Sequence, residues 1–234
     1  MNKDFETFKN NKKWFFEASD KVEFLYTENE LQLSETFNST FPLLTELLHQ
    51  ARILKLKIND QPYKFFSWTN KDDSSCGWLN KIEENASTTF KLIEEHELLL
   101  SEIGGIHESY NQPEPSLSNN QNFMFTQSGC FTGIGGCEET YEEICNGENK
   151  QPIDFKDLIC FVEEANGNMT LYNPKNKEVL LFAGDHCFDN VEVLENQPDY
   201  TFYKINNITN FVDYVETLAA EWKNEIKWNS FDLI

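Results

Sequence analysis

The sequence predicts an α+β fold: a mainly antiparallel sheet with N-terminal helices and a C-terminal helix packed on it. Three observations carry this. Short β-rich runs (MTLYN, EVLLFA, NVEVLE and TFYKI) crowd the last third and are separated by turn residues. Stretches of helical period lie before and after them. The 234 residues, 39% hydrophobic with 20 Phe, suffice for a sizeable core.

Taken in order, WFFEASDKVEFLY mixes aromatic and charged residues with no clean period. A helix is expected over 41–56, where Leu44, Leu47, Leu48, Ala51 and Leu54 recur at 3–4 spacing. Pro42 suits its first turn, after Ser39 or Thr40 as cap. YKFFSW (63–68) reads as a strand and TNKDDSSCG (69–77) as an exposed loop. A helix over 87–103 should end at Gly104-Gly105, because glycine accepts the left-handed conformation of a helix C-terminus. His96 lies beside its apolar stripe and reads as a core-edge histidine. The stretch 107–121, with two prolines, reads as a polar loop, and NFMFT as a strand.

SGCFTGIGGCEE is a glycine-rich turn, followed by EETYEEIC (138–145) as a short helix. TGIGG lacks the G-K-[ST] ending of a phosphate loop, and the acids after it would repel a phosphate. DFKDLICFVEEANGN reads as a helix with Leu158, Phe161, Val162 and Ala165 on one face, stopped at Asn166-Gly167. The four strand runs follow, the first two joined by a PKNK hairpin turn. Thr209 is expected to cap a last helix running to Trp222. Residues 1–86 read as a mixed helical extension packed on a main domain of residues 87–234.

The formal charge is −21, and it is uneven: residues 1–96 net −4 and residues 97–234 net −17. Arg52 is the single arginine. Nucleic-acid binding draws its affinity from cations on phosphates, so neither nucleic acid nor an anionic membrane surface is an expected partner. A basic protein would be attracted and steered. No 18-residue apolar window exists, the first residues are charged where a signal peptide would be apolar, and six cysteines lie scattered without a C-x-x-C pair. A cytoplasmic protein with reduced thiols is the expectation.

The stretch LLFAGDHCFDNVEVL (180–194) gathers Asp185, His186, Cys187 and Asp189 within five positions. These types can ligate zinc, but a strand or a helix would set at most some of them on one face, so a site needs other segments. The D-x-D-x-D-G pattern of a calcium loop is missing. A nucleophilic Cys187 would need a base from His49, His96 or His107, because adjacent His186 points away on a strand. The stretch reads as a polar turn. No metal, cofactor or catalytic residue is assigned.

HELLLSEIGGI (96–106), EVLLFAGDHCFDNVEVL (178–194) and TFYKINNITNFVDYVETLAAEW (201–222) together resemble the SUKH superfamily, which includes cell-wall-synthesis regulators of the Smi/Knr type and bacterial immunity proteins. Leu181, Phe182, Ala183 and Asp185 match the family's aliphatic-F-A-x-D segment, while Phe188 stands where a glycine is common. The resemblance spans 87–222. It implies a non-enzymatic binding protein, of a kind that sequesters a toxin, often a basic nuclease. The expected contacts are Glu138, Glu139, Glu142 and Glu143, with Asp185 and Asp189 at the turn. A regulatory scaffold and, third, a hydrolase built on Cys187, His186 and an aspartate are the alternatives.

Overall fold

The computed structural model describes residues 2–28, 30–83, 89–114, 117, 121–184 and 190–228. Its order is α1 (Lys3–Asn11), a 3₁₀ turn (Lys13–Phe15), β1 (Val22–Glu28), α2 (Glu35–Thr40), α3 (Pro42–His49), β2 (Arg52–Ile58), β3 (Gln61–Thr69), β4 (Ser75–Lys81), α4 (Glu94–Ile103) and β5 (Gly105–Tyr110). Then come β6 (Gln121–Met124), β7 (Phe131–Thr132), α5 (Glu138–Gly147), β8 (Ile159–Glu164), β9 (Met169–Tyr172), β10 (Val179–Phe182), β11 (Val191–Val193), β12 (Phe202–Ile205) and α6 (Phe211–Glu225). This is the α+β architecture expected, with antiparallel pairing throughout and a C-terminal helix.

The strands follow one another as β1-β2-β3-β4-β5-β6-β8-β9-β10-β12-β11, with β7 pairing β8 beside that path. A five-stranded half and a six-stranded half meet at the pair Ile106↔Met124 between β5 and β6. The boundary anticipated near residue 86 falls between β4 and α4, yet β4 pairs with β5 over Gly77↔Tyr110 to Lys81↔Gly105.

Helices cover both faces of the sheet. Strand side chains alternate between faces, so the one sheet feeds three apolar clusters. On one face α3, α4 and α6 enclose Leu44, Leu47, Phe66, Trp68, Trp78, Leu99, Phe161, Leu218 and Trp222. On the other, α1 lays Phe5 and Phe8 over Leu54, Leu56, Phe65 and Leu79, and α5 lays Tyr141 and Cys145 over Cys160, Leu171, Leu180 and Phe182. Trp68, Trp78 and Trp222 pack edge to face or tilted with centroids 5.0–5.5 Å apart, all essentially inaccessible.

Two-sided burial explains the largest correction. The helix expected over DFKDLICFVEEANGN is β8, in which Ile159, Cys160, Phe161 and Val162 are all buried because both faces are covered. A run without alternation has no period to distinguish strand from helix. Its Asn166-Gly167 stop is the β8–β9 hairpin turn, with Gly167 at φ +90°.

The helix expected over 41–56 likewise ends at His49, and its tail is β2. Leu54 and Leu56 alternate with Lys55 and Lys57, and Asn59-Asp60, both at positive φ, form the two-residue hairpin turn to β3. The loop at 69–77 gives way to β4 at Ser75, and the loop from 107 starts only after β5 ends at Tyr110. The helix expected from 87 begins at Glu94 and stops at Gly104, φ +76°, as anticipated. The C-terminal helix is capped by Asn210, one residue after Thr209.

Neither Ser39 nor Thr40 caps α3, since both lie in α2 and the cap position is Phe41. The carboxylate of Glu216, on α6, does the work instead, accepting from Leu43 N at 2.8 Å and Leu44 N at 3.1 Å. An anion at a helix N-terminus satisfies orphan donors and opposes the helix dipole. Glu216→Ala should therefore lower stability by about 1–2 kcal/mol, read from urea unfolding monitored by tryptophan fluorescence. An unchanged midpoint would show that α3 needs no partner for those donors.

Candidate protein-binding surface

α5 grows out of the glycine-rich turn as anticipated. Gly133, Gly135 and Gly136 all have positive φ, which folds the chain back before the helix starts. Its cap residue Cys137 makes no side-chain cap bond, but Glu138 and Glu139 in the first turn oppose the positive end of the helix dipole. Tyr141 and Cys145, four apart, turn inward. That leaves Glu139, Glu142 and Glu143 fully on the solvent side, with Glu138 half-buried beside Gly133. Glu138/Glu142 and Glu139/Glu143 are like-charged i, i+4 pairs, so intrahelical electrostatics disfavours this helix slightly.

Polar anchors hold it down. The Tyr141 hydroxyl donates to Gln197 Oε1 at 2.5 Å and accepts from Ile153 N at 2.9 Å. Gln197, buried, donates from Nε2 to the Gln151 carbonyl at 3.1 Å, and Lys150 Nζ donates to the Gln197 carbonyl at 2.6 Å. This knot joins α5, the segment after it and the β11–β12 loop. Glu148, Asp154, Asp157, Glu195 and Asp199 add further acid in those connecting segments. Lys150 also reaches Glu148 at 3.3 Å and Lys175 reaches Asp157 at 2.9 Å. The anticipated glutamates thus share one helix. Asp185 and Asp189 lie outside the described residues, as do His186, Cys187 and Phe188.

The groups that sequence reasoning considered for chemistry are placed otherwise. His96 is wholly buried: Nε2 lies 2.6 Å from the Phe125 carbonyl, Nδ1 lies 3.2 Å from the Tyr172 hydroxyl, and the ring stacks on Phe211. Burial drives its pKa down to about 4. His107, stacked on Tyr63 with Nδ1 3.2 Å from its hydroxyl, is also lowered to about 4, first by burial and then by Lys81. Burial pushes the thiol of Cys76 up to about 12, and those of Cys130 and Cys160 higher. Among the described residues no three His, Cys, Asp or Glu gather as metal ligands, and no helix is long and apolar enough to cross a membrane.

Two shallow hollows are lined by described residues. One, about 420 Å³, lies between the starts of α4 and α6 and is lined by Glu95, Lys177 and Asp213 among others. The second, about 330 Å³, is lined by Asn70, Asp72, Asn111, Glu114 and Glu225 among others. Both are open to solvent, and their linings mix polar and apolar groups. The Tyr141–Gln197 knot had no sequence signal, because a buried glutamine in a polar segment such as ENQPDY looks like any loop residue. Compared with models of protein families, curated proteins and solved structures, the chain matches none of them.

Two measurements check this description. Tyr141→Phe removes one donor and one acceptor from a buried knot, so stability should fall by about 1–2 kcal/mol. Amide exchange should speed in α5 more than in α6; equal protection in both variants would mean the knot does not anchor the helix. His96 gives a pH test. Its pKa is about 6.5 unfolded and about 4 folded, so the unfolded chain binds the extra proton between those values. Its contribution is intact above pH 6.5 and decays as pH falls toward 4, by ~3 kcal/mol at most. His96→Gln should flatten the stability profile in that window, measured by urea unfolding from pH 7.5 to 4.5.

Proposed function

We propose that the chain is a non-enzymatic protein-binding module of immunity type, acting in the cytoplasm and neutralising a basic toxin domain, with α5 as the contact surface. One observation carries the reading: α5, with four glutamates and no lysine or arginine, is fixed to the sheet by the Tyr141–Gln197 knot while Glu139, Glu142 and Glu143 point to solvent. A rigid element loses little conformational entropy on docking, so its charges are already placed for a partner. The resemblance of residues 87–222 to the SUKH superfamily supports the same reading, as does the −17 charge of residues 97–234. Asp185 and Asp189, which follow β10 in the sequence, would extend the surface. A nuclease is the kind of toxin this charge suits, because a protein that grips phosphates presents cations.

The binding reading also fits the described thiols and imidazoles better than a hydrolase does. The buried thiols are held protonated and the buried histidines neutral, bonded to carbonyl or hydroxyl groups. A nucleophile needs the opposite, a thiol with its pKa lowered beside a free base.

The test is kinetic. Replacing Glu138, Glu139, Glu142 and Glu143 with glutamine should slow association with a basic toxin domain, and the on-rate should depend less steeply on salt than in the wild type. Stability should be unchanged or slightly raised, since like-charged i, i+4 pairs are removed. Stopped-flow association across a salt series measures this. Equal salt slopes for the two proteins would leave the glutamates as ordinary solvated surface.

A further inference from the structure

We propose that β1 is a self-association edge, through which two copies of this chain pair β1 against β1 in antiparallel register about the Phe24–Leu25 bond. β1 ends the strand order and bonds on one side only, to β2, among the described residues. It is seven residues long, whereas the opposite edge, β11, has three. Five consecutive residues of β1, Glu23 to Thr27, are exposed, with Phe24, Leu25 and Tyr26 between 39% and 55% accessible. Long edges that display aromatic and aliphatic side chains invite another strand, and a second strand is what would cover them.

The fold selects both the occupant and the register. The pairing of β1 with β2 is irregular between Phe24 and Tyr26, where Leu25 is the extra residue. Residues before and after that step therefore fall on faces that simple alternation would not give. Val22 and Phe24 lie on the α1 side: Val22 packs on the cluster under α1, and the Phe24 ring meets Phe5 edge-on at 5.4 Å. Thr27 stands opposite Leu54, which belongs to that same cluster. Glu23, Tyr26 and Glu28 lie on the other side: Glu23 stands opposite Lys57, while Tyr26 Oη accepts from Lys55 Nζ at 2.9 Å and Glu28 pairs with Lys55 at 3.1 Å.

Two copies related by a twofold axis through the sheet keep their faces continuous, so residues directly opposite must come from the same face. A register centred on Phe24, Leu25 or Tyr26 fails, since it would set Val22 against Tyr26, Phe24 against Tyr26 or Phe24 against Glu28, from opposite faces. The register about the Phe24–Leu25 bond sets Val22 opposite Thr27, Glu23 opposite Tyr26 and Phe24 opposite Leu25 of the second copy. It also sets exposed Lys21 opposite Glu28, an attractive pair made twice. Shifting by one residue in each chain sets Leu25 against Tyr26 and Glu23 against Glu28, the latter a like-charge pair made twice. Charge complementarity thus picks the first register and makes the edge its own partner. The location helps as well: β1 belongs to the segment of net −4, whereas residues 97–234 carry −17.

Sedimentation velocity of the full chain over a concentration series tests this. The wild type should show a monomer–dimer equilibrium that tightens as salt screens the −21 net charge. Lys21→Glu and Glu28→Lys should each weaken the dimer about tenfold, by replacing two attractive pairs with two repulsive ones. An equimolar mixture of these two variants should recover association, because the heterodimer places a carboxylate opposite an ammonium at both ends. Leu25→Lys should leave only monomer. Thermal melts show that each variant folds; Lys21 and Leu25 are exposed, and Glu28, partly buried beside Lys55, is read against Lys21→Glu, which leaves that pair in place. A monomeric wild type at every salt and concentration would overturn the proposal. So would a dimer indifferent to Leu25→Lys, or single variants whose mixture associates no better than either alone.

Discussion

The contact on which the rest of the molecule depends is the meeting of Trp68, Trp78 and Trp222. Two of these indoles stand on neighbouring strands of the first half-sheet, directly across from Cys76 and Phe66 respectively, and the third comes from the last helix. Among the described residues the two half-sheets pair only at Ile106↔Met124, so the ladder there joins them weakly. α6 provides the stronger link. Its Phe211 and Tyr214 rings pack on Phe161 of β8, while Trp222, three turns on, fills the space over β3 and β4. Burying aromatic area of this size is worth several kcal/mol. Glu216 and the Lys223–Glu46 ion pair then orient α3 on α6 from the same helix surface.

Much of this was legible in the sequence where a segment shows one apolar stripe or is a short run closed off by turn residues. α5 and α6 show clear helical stripes, and β9, β10 and β12 are short runs bounded by turn residues. The pattern is lost where both faces are covered. β8 looked helical because Ile159 to Val162 are buried without alternation, and β5 looked like a loop because HESY is polar although Glu108, Ser109 and Tyr110 are buried. The Glu108 carboxylate is tolerated there because Lys12, at the end of α1, meets it at 3.0 Å and Ser109 N donates to it at 2.9 Å. Such partnerships span about a hundred residues and leave no local trace. Of the candidate surface, the four glutamates were legible from their spacing. The knot beneath them was not.

The electrostatics of the two ends of the sheet differ in kind. Near β1 and β2 two lysines of the sheet have partners: Lys55 takes Glu28 and Tyr26, and Lys64 donates to the Glu102 carbonyl at the C-terminal end of α4. Burial lowers the pKa of Lys64, but the helix end and its carbonyl favour the ammonium. Around α5 the acids outnumber the cations, so pairs such as Lys150–Glu148 and Lys175–Asp157 leave an excess of negative charge. A long-range field therefore emanates from one end while short-range pairing governs the other. Salt should act on the two ends in opposite directions.

The position of α6 has a consequence for how the chain is made. Strand order tracks sequence order through most of the sheet, so neighbouring strands can pair as they emerge from the ribosome, with short loops to close. The aromatic floor formed by Trp68, Trp78 and Phe66 is complete early, but its lid is encoded some 140 residues later, in Phe211–Glu225. For most of synthesis that floor is a sticky surface without a cover. A nascent chain of this design has to be shielded from others like it until its last turns of helix appear.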